Sequence, residues 1–401
     1  MKSRVLLVEG IAGELRATLG PLRGLAPAWE LRLAHSGHEA LTLLSGAPWE
    51  AIVADLHLSD MAGLQLMTQV MRQHPRTHRL LLADLSDLES LLRCVGTVHQ
   101  LLAKPCDAAR LQVTLHRAFA LDMWLPNQAV RELLGRIPNV PSLPEVYATV
   151  LEQLQREPPS LDPAAALIAG DPPMTAKVLQ LVNAVSQGLR NEADPVAAVK
   201  ELGPATLKGL LLLSHSYSRF AELDPELLSI ETLWQHSRRV ARRARQLAHA
   251  EGLDAGSVQQ AATAGLLHDL GKLALAANLT AQFQEALARA RQQKQALWET
   301  EQTVFGATHG EVGGCLLGMW GLPLPIVEAV TMHHHPTRFL SDSFGPLTAV
   351  HVANALDHAD NLADFQQRVD LSYLRELGLD QRLPQWWDRC RPAGAAEDAL
   401  E

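Results

Sequence analysis

No apolar run in this chain approaches the roughly 18 residues that a membrane-spanning helix needs. The opening MKSRVLLVEG passes straight into a strand-like pattern, so neither membrane insertion nor a cleaved leader is expected. Cysteine is scarce: Cys94, Cys106, Cys315 and Cys390 lie far apart and form no CxxC pair, which predicts isolated buried thiols in a reducing cytoplasm. A basic excess is missing too. Residues 1–125 balance 12 Lys+Arg against 12 Asp+Glu, and residues 126–401 set 23 basic against 32 acidic side chains, for a net charge of -9. A nucleic-acid-binding surface would leave a basic footprint, and this charge distribution argues against one. No repeat of solenoid period occurs, and the one segment that approaches low complexity, Pro392–Glu401, is expected to be a disordered tail.

What is present is enough for two or three packed domains: 401 residues, 47% apolar and 20% charged. As far as residue 120, short apolar runs alternate with helical patterns. Val5–Val8, Trp29–Leu33, Ala51–Ala54, Arg79–Leu82 and Gln100–Ala103 read as strands. Segments near 12–22, 37–46, 62–73, 86–95 and 107–120 read as the helices between them. Parallel strands need crossover helices, so this grammar predicts a doubly wound, flavodoxin-like α/β domain with a five-stranded parallel sheet at 1–121. Beyond residue 121 the period is helical only. Asp171-Pro-Pro and Gly203-Pro204 mark helix starts, and Gly252 and Gly271 read as helix stops. A helical junction at 122–130, an all-α domain at 131–340 and completing helices at 341–390 are expected, with 391–401 as the tail.

Asp55 follows the run Ala51–Ala54, and Lys104-Pro105 closes Leu101–Ala103. An aspartate and a lysine at the carboxyl ends of parallel strands meet at the sheet edge where ligands gather in open α/β folds. With acidic Glu9 after the first strand and Gly63 in the turn that follows Asp60, the segment resembles the receiver domain of two-component response regulators. The resemblance implies that Asp55 accepts a phosphoryl group from a histidine kinase, that Glu9 and Asp55 hold Mg²⁺, and that Lys104 contacts the phosphoryl oxygens. Three positions depart from the family. Gly10 stands where a second ligand carboxylate belongs, Ala83 replaces the switch hydroxyl, and Leu101 replaces the aromatic partner. Weak Mg²⁺ binding and a damaged switch follow, and Gly10→Asp is expected to improve metal binding.

The later motifs IPNVPSLPEVYATVLEQL, IAGDPPMTAKVLQLVNAV, LWQHSRRVARRA, AGLLHDLGKLAL, THGEVGGCLLGMWGLP and MHHHP are similar, in order, to those of the HDOD family. That family is related to the HD metal-dependent phosphohydrolases and is regarded as a signalling output without established catalysis. The resemblance implies an HD-like helical fold. It also places His236, His268 and Asp269 at the first metal-ligand positions, and His309, His333 and His334 where related phosphodiesterases hold further ligands. The distal Asp position falls at Asn354, a neutral amide, and Asp357 lies three residues on as a replacement. A divalent metal without turnover is one reading of this set, and a vestigial site is another; no catalytic residue is expected.

Two further features have bland explanations. Arg238, Arg239, Arg242, Arg243 and Arg245 read as the solvated face of a packed helix. VAAVKELGPATLKGLLLL reads as two helices joined at Gly203-Pro204, the second too apolar to lie in a DNA groove. The apolar stripe Leu111, Leu115, Phe119 and Leu121 or Met123 is expected to carry communication between the domains. The expected function is two-component-type signalling, with a receiver-like input and a non-catalytic output that contacts a downstream protein. A metal-dependent phosphohydrolase or a cyclic-dinucleotide-binding module is the alternative.

Overall fold

The computed structural model of the chain describes residues 3–11, 13–84, 94, 96–124, 128–135, 137, 144–156, 159–185, 192–217, 228–339 and 342–390. Five strands, β1 (Arg4–Val8), β2 (Glu30–Ala34), β3 (Ala51–Asp55), β4 (His78–Ala83) and β5 (Gln100–Ala103), form one parallel sheet. Their order is β2-β1-β3-β4-β5. Val8 pairs with Ala34 on one side and Ala54 on the other, Asp55 with Leu82, and Ala83 with Ala103. Strand order reverses between β1 and β3, so the crevice at their carboxyl ends lies beside Glu9 and Asp55. The helix expected near 86–95 lies outside the described residues.

β1, β3, β4 and β5 are buried on both faces, as a parallel sheet covered by helices requires, whereas edge strand β2 alternates and leaves Arg32 exposed. Alternate residues Val5, Leu7, Val53, Leu80 and Leu82 point to one face. There they pack with α1 (Glu14–Leu25) and the Ala108–Trp124 helix. Leu111 and Leu115 are fully buried in this core, with Phe119 against it. The stripe expected to carry communication thus faces the chain's own sheet; Leu121 and Met123 are outside the described side chains.

Leu6, Val8, Ile52, Ala54, Leu81, Ala83 and Leu101 point to the other face. Here α2 (Gly37–Gly46) and α3 (Gly63–Gln73) contribute Ala40, Leu44, Leu66, Met67 and Val70, and the apolar core continues without interruption into the helical domain. The Pro172–Val185 helix covers β5 at the sheet edge, and Gln180 Nε2 donates to the His99 carbonyl at 3.3 Å. Arg79 is 2% exposed and donates to Thr97 O at 2.8 Å and, across the junction, to Gly135 O at 2.7 Å. A side chain at Gly135 would bring its Cβ to 1.8 Å from Pro75 O, so the two backbones meet there directly.

The remaining elements are helical. Gly203, with φ 72°, breaks the Pro195–Tyr217 segment into two helices where the Gly-Pro pair predicts it, and Leu207, Leu210 and Leu211 beyond it are buried. Gly271 is not a helix stop. The Ala255–Leu267 helix ends at His268, and Gly271 lies inside the next helix, Leu270–Asn278. A Cβ there would lie 1.9 Å from His309 O, so glycine is needed for close approach of two helices. All four cysteines are buried free thiols. Among the described residues no helix is long and apolar enough to cross a membrane.

Candidate functional site

Two constellations of charged side chains occupy the two parts of the molecule. In the α/β domain Asp55, 2% exposed, ends β3. Its Oδ1 accepts from the His57 backbone N–H at 3.0 Å and its Oδ2 from Lys104 Nζ at 2.5 Å. Lys104 also lies 3.4 Å from Glu14 Oε2. Burial works against the Lys104 charge, but the hydrogen bond and charge of Asp55, helped by Glu14, outweigh it and raise the pKa above its ordinary value. Glu9 is bound by Arg16 at 2.8 Å and lies 3.1 Å from His35 Nδ1, which leaves its Oε1 buried without a partner.

The chain itself supplies cations to both carboxylates, and this pocket fits Mg²⁺ poorly. The side-chain oxygens left to an ion are Glu9 Oε1 and those of Asp55, and position 10 contributes none. The expectation that Gly10→Asp restores the missing ligand is overturned by packing. A Cβ at position 10 would lie 2.3 Å from Asp55 Cγ and 2.6 Å from Asp55 Cβ. Turning the Asp55 side chain cannot move its own Cβ, so the backbone has to give. Ala83 and Leu101 are 1% and 6% exposed and belong to the core shared with the helical domain.

In the helical domain five elements bring imidazoles together. His236 lies on the Ile230–Ala250 helix, whose start is capped by Ser229 accepting from Thr232 N. His268 and Asp269 occupy the joint between the Ala255–Leu267 and Leu270–Asn278 helices. His309 opens the His309–Met319 helix, fixed by a capping box between Thr308 and Glu311. His333 and His334 follow the Leu324–Met332 helix. The sequence-predicted set therefore converges. His236 Nε2 is 3.2 Å from His268 Nε2, His309 Nε2 is 3.2 Å from Asp269 Oδ1, and His334 Nε2 is 3.1 Å from His309 Nε2. Donor atoms of His236, His268 and Asp269 lie within 4.8 Å of one another, as do those of His309, His333 and His334.

The opposite ring nitrogens are engaged at four of these histidines. Nδ1 of His268 donates to Gly265 O at 2.8 Å, and Nδ1 of His333 to Val330 O at 2.7 Å. Carbonyls only accept, so both neutral rings carry their lone pair on Nε2, facing the cluster. His333 Nε2 is buried and has no hydrogen-bond partner. His309 Nδ1 is 2.6 Å from Glu301 Oε2, and His236 Nδ1 is 2.6 Å from Asp357 Oδ2. Outer acceptors that fix the tautomer and aim Nε2 inward are the arrangement by which proteins present histidine to metals. Burial pushes His268 down to about 3, and burial with neighbouring histidine charges holds His333 and His334 well below the usual range. For His309 burial also opposes the proton, but the Glu301 carboxylate prevails and raises it.

Asp357 does not replace the distal ligand. Its carboxylate lies behind His236, ion-paired with Arg239 at 2.9 Å and with Arg243. Two of the five arginines are thus not a solvated face: Arg243 is buried and also donates to Cys390 O, whereas Arg238, Arg242 and Arg245 are exposed. Asn354 is buried on the helix that carries Asp357, with Oδ1 unpartnered. Two further members complete the site: Glu301, wholly buried behind His309 and outside every sequence motif, and Lys272 of AGLLHDLGKLAL, whose Nζ is 2.7 Å from Asp269 Oδ2. Lys272 follows Asp269 by three residues, a helical spacing that signals the pair; no spacing rule links Glu301 to His309.

Residues 140–336 match the family model of the HDOD domain. An uncharacterised protein of Treponema pallidum is 28% identical over 210 residues, 51% of this chain and 39% of that protein. The luminescence regulatory protein LuxO of Vibrio campbellii is 26% identical over 145 residues, 35% of this chain and 31% of its own. The match therefore spans well under half the length of these curated relatives. Among solved structures, the MmoQ response regulator of Methylococcus capsulatus is 25% identical, with a TM-score of 0.46 over 62% of this chain and 98% of that one.

Proposed function

Because the chain joins a receiver-type α/β domain to an HDOD domain, we propose that it is a cytoplasmic two-component-type signalling protein whose output is a contact made by its helical domain with a downstream protein. The observation that carries this reading is the single apolar core running from the sheet into the helical domain, with the switch positions Ala83 and Leu101 inside it. A change at the Asp55–Lys104 edge then alters packing that both domains share. Asp55 is the phosphoacceptor, Lys104 its phosphoryl contact, and a histidine kinase the phosphate source. Transfer is inefficient because Glu9 and Asp55 are already neutralised by Arg16 and Lys104, and Mg²⁺ binding is weak.

In the same reading the histidine cluster holds a divalent ion without turnover. His236, His268 and Asp269 form one donor set, and His309, His333 and His334 the other. An ion bound there supplies Lewis acidity and lowers the pKa of bound water. The chain's contribution is to hold Nε2 of His268, His333, His309 and His236 in place through Gly265 O, Val330 O, Glu301 and Asp357 respectively. Two features support binding over hydrolysis. His236, His268, Asp269, His309 and His333 are all at least nine-tenths buried, and the distal carboxylate position is Asn354. The convergence of Nε2 lone pairs keeps a phosphohydrolase as the second reading. The full chain, loaded with Mn²⁺ or Fe²⁺ and offered cyclic di-GMP, cyclic GMP-AMP and a generic phosphodiester, is expected to show no turnover. Turnover abolished by His268→Ala overturns the non-catalytic reading.

A further inference from the structure

We infer that the His309–Met319 helix couples the contact between the two domains to the histidine centre, so that a divalent ion in the centre and the packing at the domain junction control one another. The inference rests on the metal reading above and adds its regulation.

This helix is 11 residues long and buried at every position. At about 1.5 Å per residue it spans some 16 Å. Its first residue is His309, within reach of Asp269 and His334. Its other end belongs to the junction. The helix packs against the Ala108–Trp124 helix of the α/β domain and against the Gln128–Leu134 helix. Cys315 and Met319 line a cavity of about 330 Å³, together with Thr77, His99 and Gly135 from either side of the junction. Just beyond its end, Trp320 lies under the ammonium of Lys177, 4.6 Å from the ring centroid. Lys177 belongs to the helix that covers β5.

Along its flanks the helix has little side-chain cushion. A Cβ at Gly313 would lie 3.0 Å from Gly271 N, and one at Gly310 would lie 3.0 Å from Thr331 O. Those neighbours lie on the Leu270–Asn278 helix, which starts immediately after Asp269, and on the Leu324–Met332 helix, which ends immediately before His333. The helix thus carries one donor and abuts, nearly backbone to backbone, the two helices that position three others. Closely packed interiors transmit a displacement instead of absorbing it. Metal–ligand distances tolerate only about 0.2 Å. A small shift at Met319, for which the adjoining cavity leaves room, therefore disturbs the centre, and an ion that clamps His309 to His333 and His334 holds the junction end in turn. Such coupling is reciprocal by thermodynamic necessity.

The test uses the full chain and Mn²⁺ as the probe. Affinity is measured by titration calorimetry for the wild type, for Met319→Ala, which enlarges the cavity, and for Gly135→Ala, which forces the junction apart. Amide exchange of the unmodified chain is followed with and without Mn²⁺. The expected results are an affinity change of about fivefold or more in at least one variant, and slower exchange in β5 and at 75–78 when Mn²⁺ is bound. Mn²⁺ binding that is the same within about twofold in all three chains, with exchange at the junction unmoved, overturns the coupling and leaves the metal reading standing. No binding of Mn²⁺, Fe²⁺ or Zn²⁺ by the wild type overturns the metal reading itself. Because the exchange arm needs no variant, a substitution that fails to fold does not rescue the inference.

Discussion

Asp55 and Lys104 are legible in the linear order because each closes an apolar run, and the ends of parallel strands share one edge. What that order hides is how the side chains settle once position 10 is a glycine. Asp55 leans into the volume over Gly10, and this reverses the expected effect of restoring an acid. Gly10→Asp is predicted to cost about 1–3 kcal/mol through overpacking and to leave Mg²⁺-dependent beryllofluoride binding no better than in the wild type, as urea unfolding and amide-shift titration would show. A second single-residue effect concerns Lys177, buried against Trp320, where burial pushes its pKa down to about 7. An unfolded lysine keeps its proton to about pH 10.4, so between about pH 7 and 10 the unfolded state binds more protons, and stability rises with pH through that window. Lys177→Met is therefore predicted to raise the Tm most at or below pH 7 and progressively less towards pH 10. A Tm difference independent of pH would contradict this.

Elements are readable where the period is clear. Five short, largely apolar runs between helical segments imply a parallel sheet, and Gly203-Pro204 marks its kink because glycine alone adopts that backbone without strain while proline suits a first turn. Direction is harder. The stripe of the Ala108–Trp124 helix has the pattern of a junction surface, yet Leu111 and Leu115 are spent on the sheet, since periodicity shows that a face is apolar and not which neighbour covers it. Gly271 misleads for a related reason: a glycine near a helix end looks like a stop, whereas here it admits the His309 carbonyl of another helix. The capping box at Thr308 has the visible T-x-x-E spacing, and it fixes the start of the helix that presents His309. Thr308→Ala is predicted to cost about 1 kcal/mol in chemical denaturation and to weaken Mn²⁺ binding, whereas Thr303→Ala, exposed on the preceding helix, should change neither beyond experimental error.

At the scale of the molecule, the histidine set is legible as a motif series, but its outer shell is not. Glu301 and Asp357 meet their histidines through space, across separate helices, and no sequence spacing announces either contact. The same holds for Arg79. It opens a strand-like run, and nothing in that pattern shows that it is buried at the junction, its guanidinium bonded to carbonyls of both domains. Together with the continuous core, these contacts make the α/β domain and the helical domain one packed body. The central claim is that a change at the Asp55–Lys104 edge is felt in the helical domain through that body. The most direct measurement is amide exchange across the full chain, compared between the wild type and Lys104→Ala, which leaves Asp55 buried without its cation. The account predicts faster exchange that extends beyond the sheet into the Pro172–Val185 and His309–Met319 helices; exchange altered only within residues 3–124 would contradict it.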